Sequence, residues 1–202
     1  MGIINFGFQS KKDDSKELPP GQSVVRSWPV LSYGATPHIN PAEWSITIDG
    51  AVNKPITLSW DEFNKLPKTQ LTTDIHCVTR WSRLDMPWEG VSLDVLIEQA
   101  GGLTKDAHFA IAESEGGYTT NIPVNEVTGG QALIATMADN LPLPDEHGGP
   151  ARFFVPHLYF WKSAKWVRKV TFTAEDRPGF WEVNGYNNHG DPWREERYDS
   201  DE

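Results

Sequence analysis

Residues 44–62, WSITIDGAVNKPITLSWDE, contain the signals for a strand, a turn, a second strand and the start of a helix. Trp44, Ile46 and Ile48 alternate with polar residues, a pattern typical of a strand with one buried face. Gly50 to Pro55 turns the chain, and the next three residues predict a short return strand. Ser59 and Glu62 have capping-box spacing, which predicts a short helix that Pro67 ends.

The rest of the chain repeats this preference for strands. Further strands are predicted near residues 69–78, 107–113, 118–122, 131–138, 152–155 and 166–173, with one more helix over 92–100. Residues 81–90 are interpreted as an aromatic, turn-rich loop. Because strands outnumber helices and the connections are too short for βαβ crossovers, we predict an α+β fold with a mixed β-sheet and a few short helices.

Composition limits the possible classes of protein. The chain has 202 residues, and we predict a flexible N-terminal tail over 1–22 and one domain over 23–202. A net charge of −10 argues against binding to nucleic acid or anionic membranes, and no apolar run reaches the length of a membrane span. One cysteine excludes an intrachain disulfide. The absence of a secretory or twin-arginine signal, together with the lone thiol, predicts a cytoplasmic protein.

Charge is segregated along the sequence. Residues 147–174 contain no Asp or Glu but five bases, Arg152, Lys162, Lys165, Arg168 and Lys169. In so acidic a chain, this segment predicts a pocket for an anion, which Gly148 and Gly149 allow to approach the backbone closely. The alternative is a solvated strand edge with gatekeeping charges.

The single thiol is the second candidate for chemistry. Cys77 lies in Ile-His-Cys-Val-Thr-Arg-Trp, where His76 and Arg80 are placed to lower its pKa. A thiolate is a nucleophile or a soft metal ligand, whereas the alternative is a buried structural cysteine. His76 and Cys77 alternate on a strand and should face opposite ways. A Cys-His hydrolase would therefore take its base from His147 or His157.

Taken together, these motifs resemble the sulfite-oxidase-like molybdopterin oxidoreductases, in particular their small bacterial cytoplasmic branch, over residues 24–193. The resemblance implies the mixed-sheet sulfite-oxidase fold. The motifs that carry it are Trp44 to Pro55, His76-Cys77-Val78 with Trp81-Ser82 and Pro87-Trp88-Glu89-Gly90, Gly148 to Pro156 with Lys162 to Lys165, and Gly190-Asp191-Pro192-Trp193.

The resemblance implies a molybdopterin cofactor with molybdenum, which Cys77 ligates through its thiolate. The cofactor-binding residues that it implies are His147, Arg152, Ser163, Ala164, Lys165 and Ser114, with Arg26 and Trp28 from the N-terminal segment. The expected reaction is two-electron oxygen-atom transfer with a small oxo donor or acceptor, such as a sulfoxide, an N-oxide or sulfite. We further hypothesise that Arg80 steers the substrate.

The chain also departs from the sulfite oxidases. They carry an arginine-rich run after the cysteine, whereas Val78-Thr79-Arg80-Trp81 has a single arginine, which argues against sulfite. Because no haem-attachment motif is present, no haem is expected, and we expect a monomer with an unidentified redox partner. The alternative from another class is a non-catalytic β module that uses its nine tryptophans to bind carbohydrate or protein.

Overall fold

The computed structural model describes residues 16–201, which form two mixed β-sheets joined by two short helices and several 3-10 turns. The helices are α1 (Trp60–Asn64) and α2 (Leu93–Gln99). The strands are β1 (Ser23–Val24), β2 (Ser45–Gly50), β3 (Ile56–Ser59), β4 (Thr69–His76), β5 (Trp81–Ser92), β6 (Phe109–Ser114), β7 (Thr119–Pro123), β8 (Leu133–Ala138), β9 (Leu141–Pro142), β10 (Arg152–Phe154) and β11 (Val167–Thr173). The 3-10 turns cover Pro41–Glu43, Glu115–Gly117, Val124–Glu126, Asp145–His147, Phe160–Lys162, Glu182–Asn184 and Asp199–Asp201.

The first sheet has the order β1-β5-β8-β10, with β4 also paired to β5 and β9 to β8. The second has the order β3-β2-β11-β6-β7, in which β11 is parallel to β2 and antiparallel to β6. The predicted α+β class with mixed sheets is confirmed. Within the described residues, neither helix has the length and hydropathy to cross a bilayer.

The central strands of the first sheet are buried on both faces. Ile134 and Phe153 belong to the core that the second sheet and α2 share, whereas Leu133 and Phe154 point to a second, aromatic-rich core. This alternation follows from the two-residue period of a strand. The second core borders the cavity described below.

The predicted loop over 81–90 is wrong, because these residues form most of β5. This strand pairs antiparallel with β4 along nearly its whole length and with β8 at its C-terminal end. Gly90 is needed there, since a Cβ would lie 2.2 Å from the carbonyl oxygen of Ile134. Pro87 and Asp85, the latter with φ of +51°, gave this strand the composition of a loop.

The capping box at α1 is confirmed. The Ser59 hydroxyl accepts from the Glu62 amide, and the Glu62 carboxylate accepts from the Ser59 amide at 2.9 Å. Of the predicted N-terminal tail, residues 1–15 lie outside the described residues. Within 16–22, Lys16 pairs with Asp74 and Asp85, at 3.1 and 2.6 Å.

Candidate functional site

A cavity of about 840 Å³ lies beside the aromatic-rich core. Its walls come from segment 29–37, the loop after β4, the turn after β6, residues 147–166 and residues 180–186. Most of the predicted site residues line it, namely Cys77, Ser114, His147, Arg152, Ser163, Ala164 and Lys165. The fold therefore brings together residues separated by up to 88 positions in the sequence, from Cys77 to Lys165.

Arg152 is a buried cation in the cavity wall. Its guanidinium donates to the carbonyl oxygens of His147 at 2.9 Å and Ser163 at 2.6 Å, while its Nε has no partner among the described residues. Burial lowers its pKa to about 9, and within residues 16–201 no carboxylate raises it. A buried charge without a counter-ion is costly, so this site favours an anionic ligand.

Lys165 is the second cation of the cavity. Its Nζ donates to the Leu31 carbonyl at 2.8 Å, the Ser32 hydroxyl at 2.7 Å and the Glu146 carbonyl at 2.7 Å. Burial, and then the positive charge of Arg152, lower its pKa to about 7. A phosphate beside it would restore the charged form.

The other three bases of the acid-free segment face elsewhere. Lys162 forms a buried ion pair with Glu182 at 2.6 Å, Arg168 pairs with Glu115 and Lys169 with Glu113. Although residues 147–174 contain no acid, the fold places carboxylates from other parts of the chain beside three of their five bases. Arg152 and Lys165 are the two cations that it contributes to the cavity.

Gly148 and Gly149, which precede Arg152, lie in close contact with other parts of the protein rather than with an open binding site. A Cβ at Gly149 would lie 2.2 Å from the Leu143 carbonyl oxygen, and one at Gly148 would lie 3.0 Å from the Lys165 Cα. The sequence predicted that these glycines let an anion approach the backbone. In the structure, the absence of their side chains instead allows residues 148–149 to pack against Leu143 and Lys165.

His147 lies between the two cations and an aromatic ring. Its imidazole stacks on Trp28, with centroids 3.8 Å apart and planes 6° apart. Burial lowers the pKa of His147 to about 4, and the charges of Arg152 and Lys165 act in the same direction. The ring is therefore neutral at pH 7, and Trp28 holds it in place without lining the cavity.

The two serines of the site differ in what their hydroxyls do. The Ser163 hydroxyl accepts from the Val155 amide at 2.9 Å, so it is already used within the fold. The Ser114 hydroxyl is buried and has no partner among the described residues. Ser114 thus offers the cavity an unsatisfied polar group, which is costly unless a ligand or water pairs with it.

Cys77 lies in a tight loop between β4 and β5. The Arg80 amide donates to the Cys77 carbonyl at 3.0 Å, and the Cys77 amide donates to the Trp81 carbonyl at 2.9 Å. Burial raises the pKa of the thiol, while the Thr79 hydroxyl, which donates to the sulfur at 3.2 Å, lowers it. The His76 ring instead contacts the Ser82 hydroxyl at 2.7 Å and does not line the cavity.

Besides Trp28, two further predicted residues, Arg80 and Arg26, do not line the cavity. Arg80 has a φ of +71°, its side chain is 62% exposed, and its guanidinium lies 3.9 Å from the Glu195 carboxylate. Arg26 is exposed and absent from the lining. The cavity thus contains Cys77 without the neighbouring arginine proposed to steer the substrate.

The histidines do not favour a Cys-His hydrolase. His157 pairs with Glu126 at 2.8 Å and does not line the cavity. His147 lines it, but a pKa of about 4 makes a weak base, and burial raises the pKa of the Cys77 thiol. A nucleophilic thiolate activated by histidine requires the opposite shifts.

Sequence reasoning missed several residues around Cys77. Tyr186 lines the cavity, and burial, then Tyr198 and Cys77, raise its pKa. Trp181 also lines the cavity and stacks on Tyr186. Arg197 and Gln22 lie behind the Cys77 loop and donate to its carbonyls. Arg197 gave no signal because it stands in an acidic C-terminal stretch that resembles a solvated end.

Comparison with known proteins identifies the class. Residues 33–181 match the family described as "Oxidoreductase molybdopterin binding domain", and the chain belongs to this family. It is therefore a molybdenum-dependent oxidoreductase whose cofactor is molybdopterin, as the sequence motifs predicted. Membership excludes the alternative of a non-catalytic tryptophan-rich module.

Particular relatives agree with this assignment. The chain is 43% identical over 194 residues to the uncharacterized oxidoreductase YuiH of Bacillus subtilis, which covers 96% of this chain and 98% of that protein. It is 28% identical over 171 residues to the protein-methionine-sulfoxide reductase catalytic subunit MsrP of Campylobacter jejuni, covering 76% of this chain and 57% of that one. The sulfane dehydrogenase SoxCD of Paracoccus pantotrophus has a similar fold, with a TM-score of 0.64 and 21% identity over 74% of this chain and 42% of its own.

The residues of the cavity fit the cofactor. Molybdopterin carries a phosphate and a fused polar ring system, so it needs cations and hydrogen-bonding groups that the protein leaves unsatisfied. The Arg152 Nε and the Ser114 hydroxyl are two such groups, both on residues that line the cavity. Their chemistry matches that of the pterin and its phosphate.

Proposed function

We propose that Cys77 ligates molybdenum through its thiolate and that the chain catalyses two-electron oxygen-atom transfer on a small uncharged substrate. The observation that carries this proposal is that the only thiol of the chain lines the same cavity as Arg152 and Lys165, two cations to which no carboxylate of the described residues is hydrogen-bonded. When bound, the cofactor supplies a metal that exchanges two electrons and an oxygen atom with the substrate.

The chain's own residues bind and orient the cofactor. Arg152 and Lys165 would neutralise the phosphate, because within residues 16–201 neither has a carboxylate among its hydrogen-bond partners. The neutral His147 ring can donate from one nitrogen and accept at the other, as a polar ring system requires. Ser114 would add a hydroxyl, and the backbone around Ser163 and Ala164 would complete the wall.

Cys77 must lose its proton to act as a ligand, since only the thiolate binds metal. Burial opposes this, and the Thr79 hydroxyl and the Val78 and Thr79 amides favour it by lowering the pKa. Deprotonation is therefore coupled to metal binding. The tight loop between β4 and β5 holds the sulfur in the cavity wall.

The remaining lining supports an uncharged substrate over sulfite. Arg152 and Lys165 are the only Lys or Arg side chains among the described lining residues, and both are assigned to the cofactor. Trp81, Trp161 and Tyr186 form an aromatic cluster with Cys77. The name of the Campylobacter relative, a protein-methionine-sulfoxide reductase subunit, supports a sulfoxide, although the chain spans only 57% of that protein.

We also infer a cytoplasmic monomer that exchanges electrons with an unidentified redox partner and binds neither nucleic acid nor membrane. The net charge of −10 supports the last point, and the lone free cysteine supports a reducing compartment.

The test is expression in cells that synthesise the molybdenum cofactor, followed by metal analysis and a substrate screen. With a reduced dye as electron donor, we expect turnover of sulfoxides or N-oxides, and with an oxidised dye, little oxidation of sulfite. Cys77→Ser should lose this activity, whereas Lys169→Met, a cation outside the cavity, should retain it. Full activity of Cys77→Ser, or rapid sulfite oxidation by the wild type, would contradict the proposal.

A further inference from the structure

The loop that carries Cys77 is held from behind by two side chains that are distant in sequence. The Arg197 guanidinium donates to the Val78 carbonyl at 2.7 Å, and the Gln22 amide donates to the Cys77 carbonyl at 3.0 Å. Both residues lie outside residues 33–181, which match the family. The flanking segments of this chain therefore reach into the candidate metal site.

Arg197 is held in one orientation. Its side chain is 3% exposed, and its second terminal nitrogen donates to the Pro20 carbonyl at 3.0 Å. Its Cζ lies 4.9 Å from the centroid of the Tyr159 ring, and its Nε lies 3.5 Å from the half-exposed Glu195 carboxylate. A planar guanidinium with partners on several sides positions the groups that it binds.

One peptide unit connects Arg197 to the sulfur. The carbonyl of Val78, which accepts from Arg197, and the amide N–H of Thr79 belong to the same peptide. Thr79, the second residue of that peptide, donates its side-chain hydroxyl to the Cys77 sulfur at 3.2 Å. Arg197 therefore holds the peptide that carries the hydrogen-bond donor to the sulfur, and it places a buried positive charge beside the Cys77 loop.

We propose that Arg197 is a positioning residue for the metal ligand. It fixes the Cys77 loop by binding the Val78 carbonyl, and its buried positive charge beside this loop draws electron density away from the Cys77 sulfur. A thiolate with less electron density stabilises the reduced metal, so Arg197 raises the reduction potential of bound molybdenum. This inference rests on the proposed ligation of molybdenum by Cys77.

The first arm of the test measures the position of the loop in protein purified from cells that make the cofactor. In Arg197→Met, the amides of Cys77 and Arg80 should exchange hydrogen about tenfold faster, the effect of losing one hydrogen bond to a charged donor. Exchange in β6 reports global unfolding, and the effect on the loop is the acceleration beyond that measured in β6. The control is Arg194→Met, because Arg194 is a nearby arginine whose side chain is 70% exposed. Unchanged exchange in the loop would overturn the proposal.

The second arm measures the reduction potential of molybdenum, which Arg197 would not change if it only held the loop in place. The reduction potential of molybdenum should shift to a lower value in Arg197→Met, with altered g-values of the Mo(V) signal. Arg197→Lys keeps the positive charge and should recover most of the wild-type potential. It is measured in parallel, so that the test remains valid if the methionine variant fails to fold.

An unchanged potential in Arg197→Met, or an equally large shift in Arg197→Lys and Arg197→Met, would overturn the electronic part. If Cys77 does not ligate molybdenum, the result differs from both of these outcomes. In that case Cys77→Ser keeps the wild-type Mo(V) spectrum, whatever Arg197 does.

Discussion

The guanidinium of Arg152 donates to the carbonyl oxygen of His147 at 2.9 Å, and the His147 ring stacks on Trp28. One buried cation therefore fixes the backbone of a residue whose own ring it helps to keep neutral. An anion bound at Arg152 would act on both residues. The chemistry of this pair supports the proposal that the cavity binds a phosphate together with a neutral polar ring system.

Arg152→Met should separate cofactor binding from folding. We expect molybdenum and pterin content to fall at least about tenfold, because a charge-assisted hydrogen bond is lost. The free energy of unfolding of the cofactor-free protein should change little, since removal of a buried unpaired cation offsets the two lost hydrogen bonds. Metal analysis and urea denaturation measure the two effects. Lys169→Met is the control, and wild-type molybdenum content in Arg152→Met would refute the role of Arg152.

Lys165 predicts a pH dependence of cofactor retention. Its pKa of about 7 belongs to the cofactor-free site, so above pH 7 Lys165 must take up a proton to bind a phosphate in its charged form, and affinity for the phosphate falls as pH rises towards 9. We expect the wild type to release pterin faster at pH 9 than at pH 6. Lys165→Arg remains charged throughout and should show a much flatter profile, while ionisation of the phosphate affects both proteins equally. Equal pH profiles for the two proteins would argue against Lys165 as a phosphate ligand.

The buried ion pair of Lys162 and Glu182 predicts a large effect on stability. In Glu182→Gln, the Lys162 ammonium would remain buried without its counter-ion, at a cost of about 3–5 kcal/mol in free energy of unfolding. Glu113→Gln removes the exposed partner of Lys169 and should cost less than about 1 kcal/mol. Urea denaturation of both variants measures the difference. Similar losses in the two variants would show that the buried pair contributes no more than an exposed one.

Arg80 should have little influence on the reaction, because its exposed side chain lies outside the cavity lining. We expect Arg80→Met to keep its molybdenum content and to change KM by less than about threefold, in line with the small energies of exposed charge pairs. Steady-state kinetics with the best substrate of the screen measures this. A tenfold rise in KM at unchanged molybdenum content would instead support substrate steering by Arg80.

Much of the fold is visible in the sequence because local signals agree with it. The alternation of Trp44, Ile46 and Ile48 and the capping box at Ser59 are both realised. Strand β5 was not predicted because Asp85 and Pro87, two residues typical of turns, stand within its alternation of Leu84, Met86 and Trp88. It is held by pairing with β4 on one side and β8 on the other, and this tertiary support outweighs the turn propensity of Asp85 and Pro87.

The sequence predicted the site only in part, because tertiary contacts decide which cations face the cavity. Arg152 and Lys165 were identified together with Lys162, and the sequence alone does not distinguish a cation that faces a cavity from one that is paired. The partner of Lys162 is Glu182, twenty positions away in the sequence, and the Val78 carbonyl is 119 positions from Arg197. Such pairings exist only in the folded chain.

Direct evidence for the proposed bond between the Cys77 sulfur and molybdenum would come from the environment of the metal. X-ray absorption at the molybdenum edge counts the sulfur neighbours of the metal, and we compare the wild type with Cys77→Ser, both loaded with cofactor. We expect one sulfur scatterer fewer in Cys77→Ser, with the pterin content retained. The same number of sulfur neighbours in both proteins would contradict it.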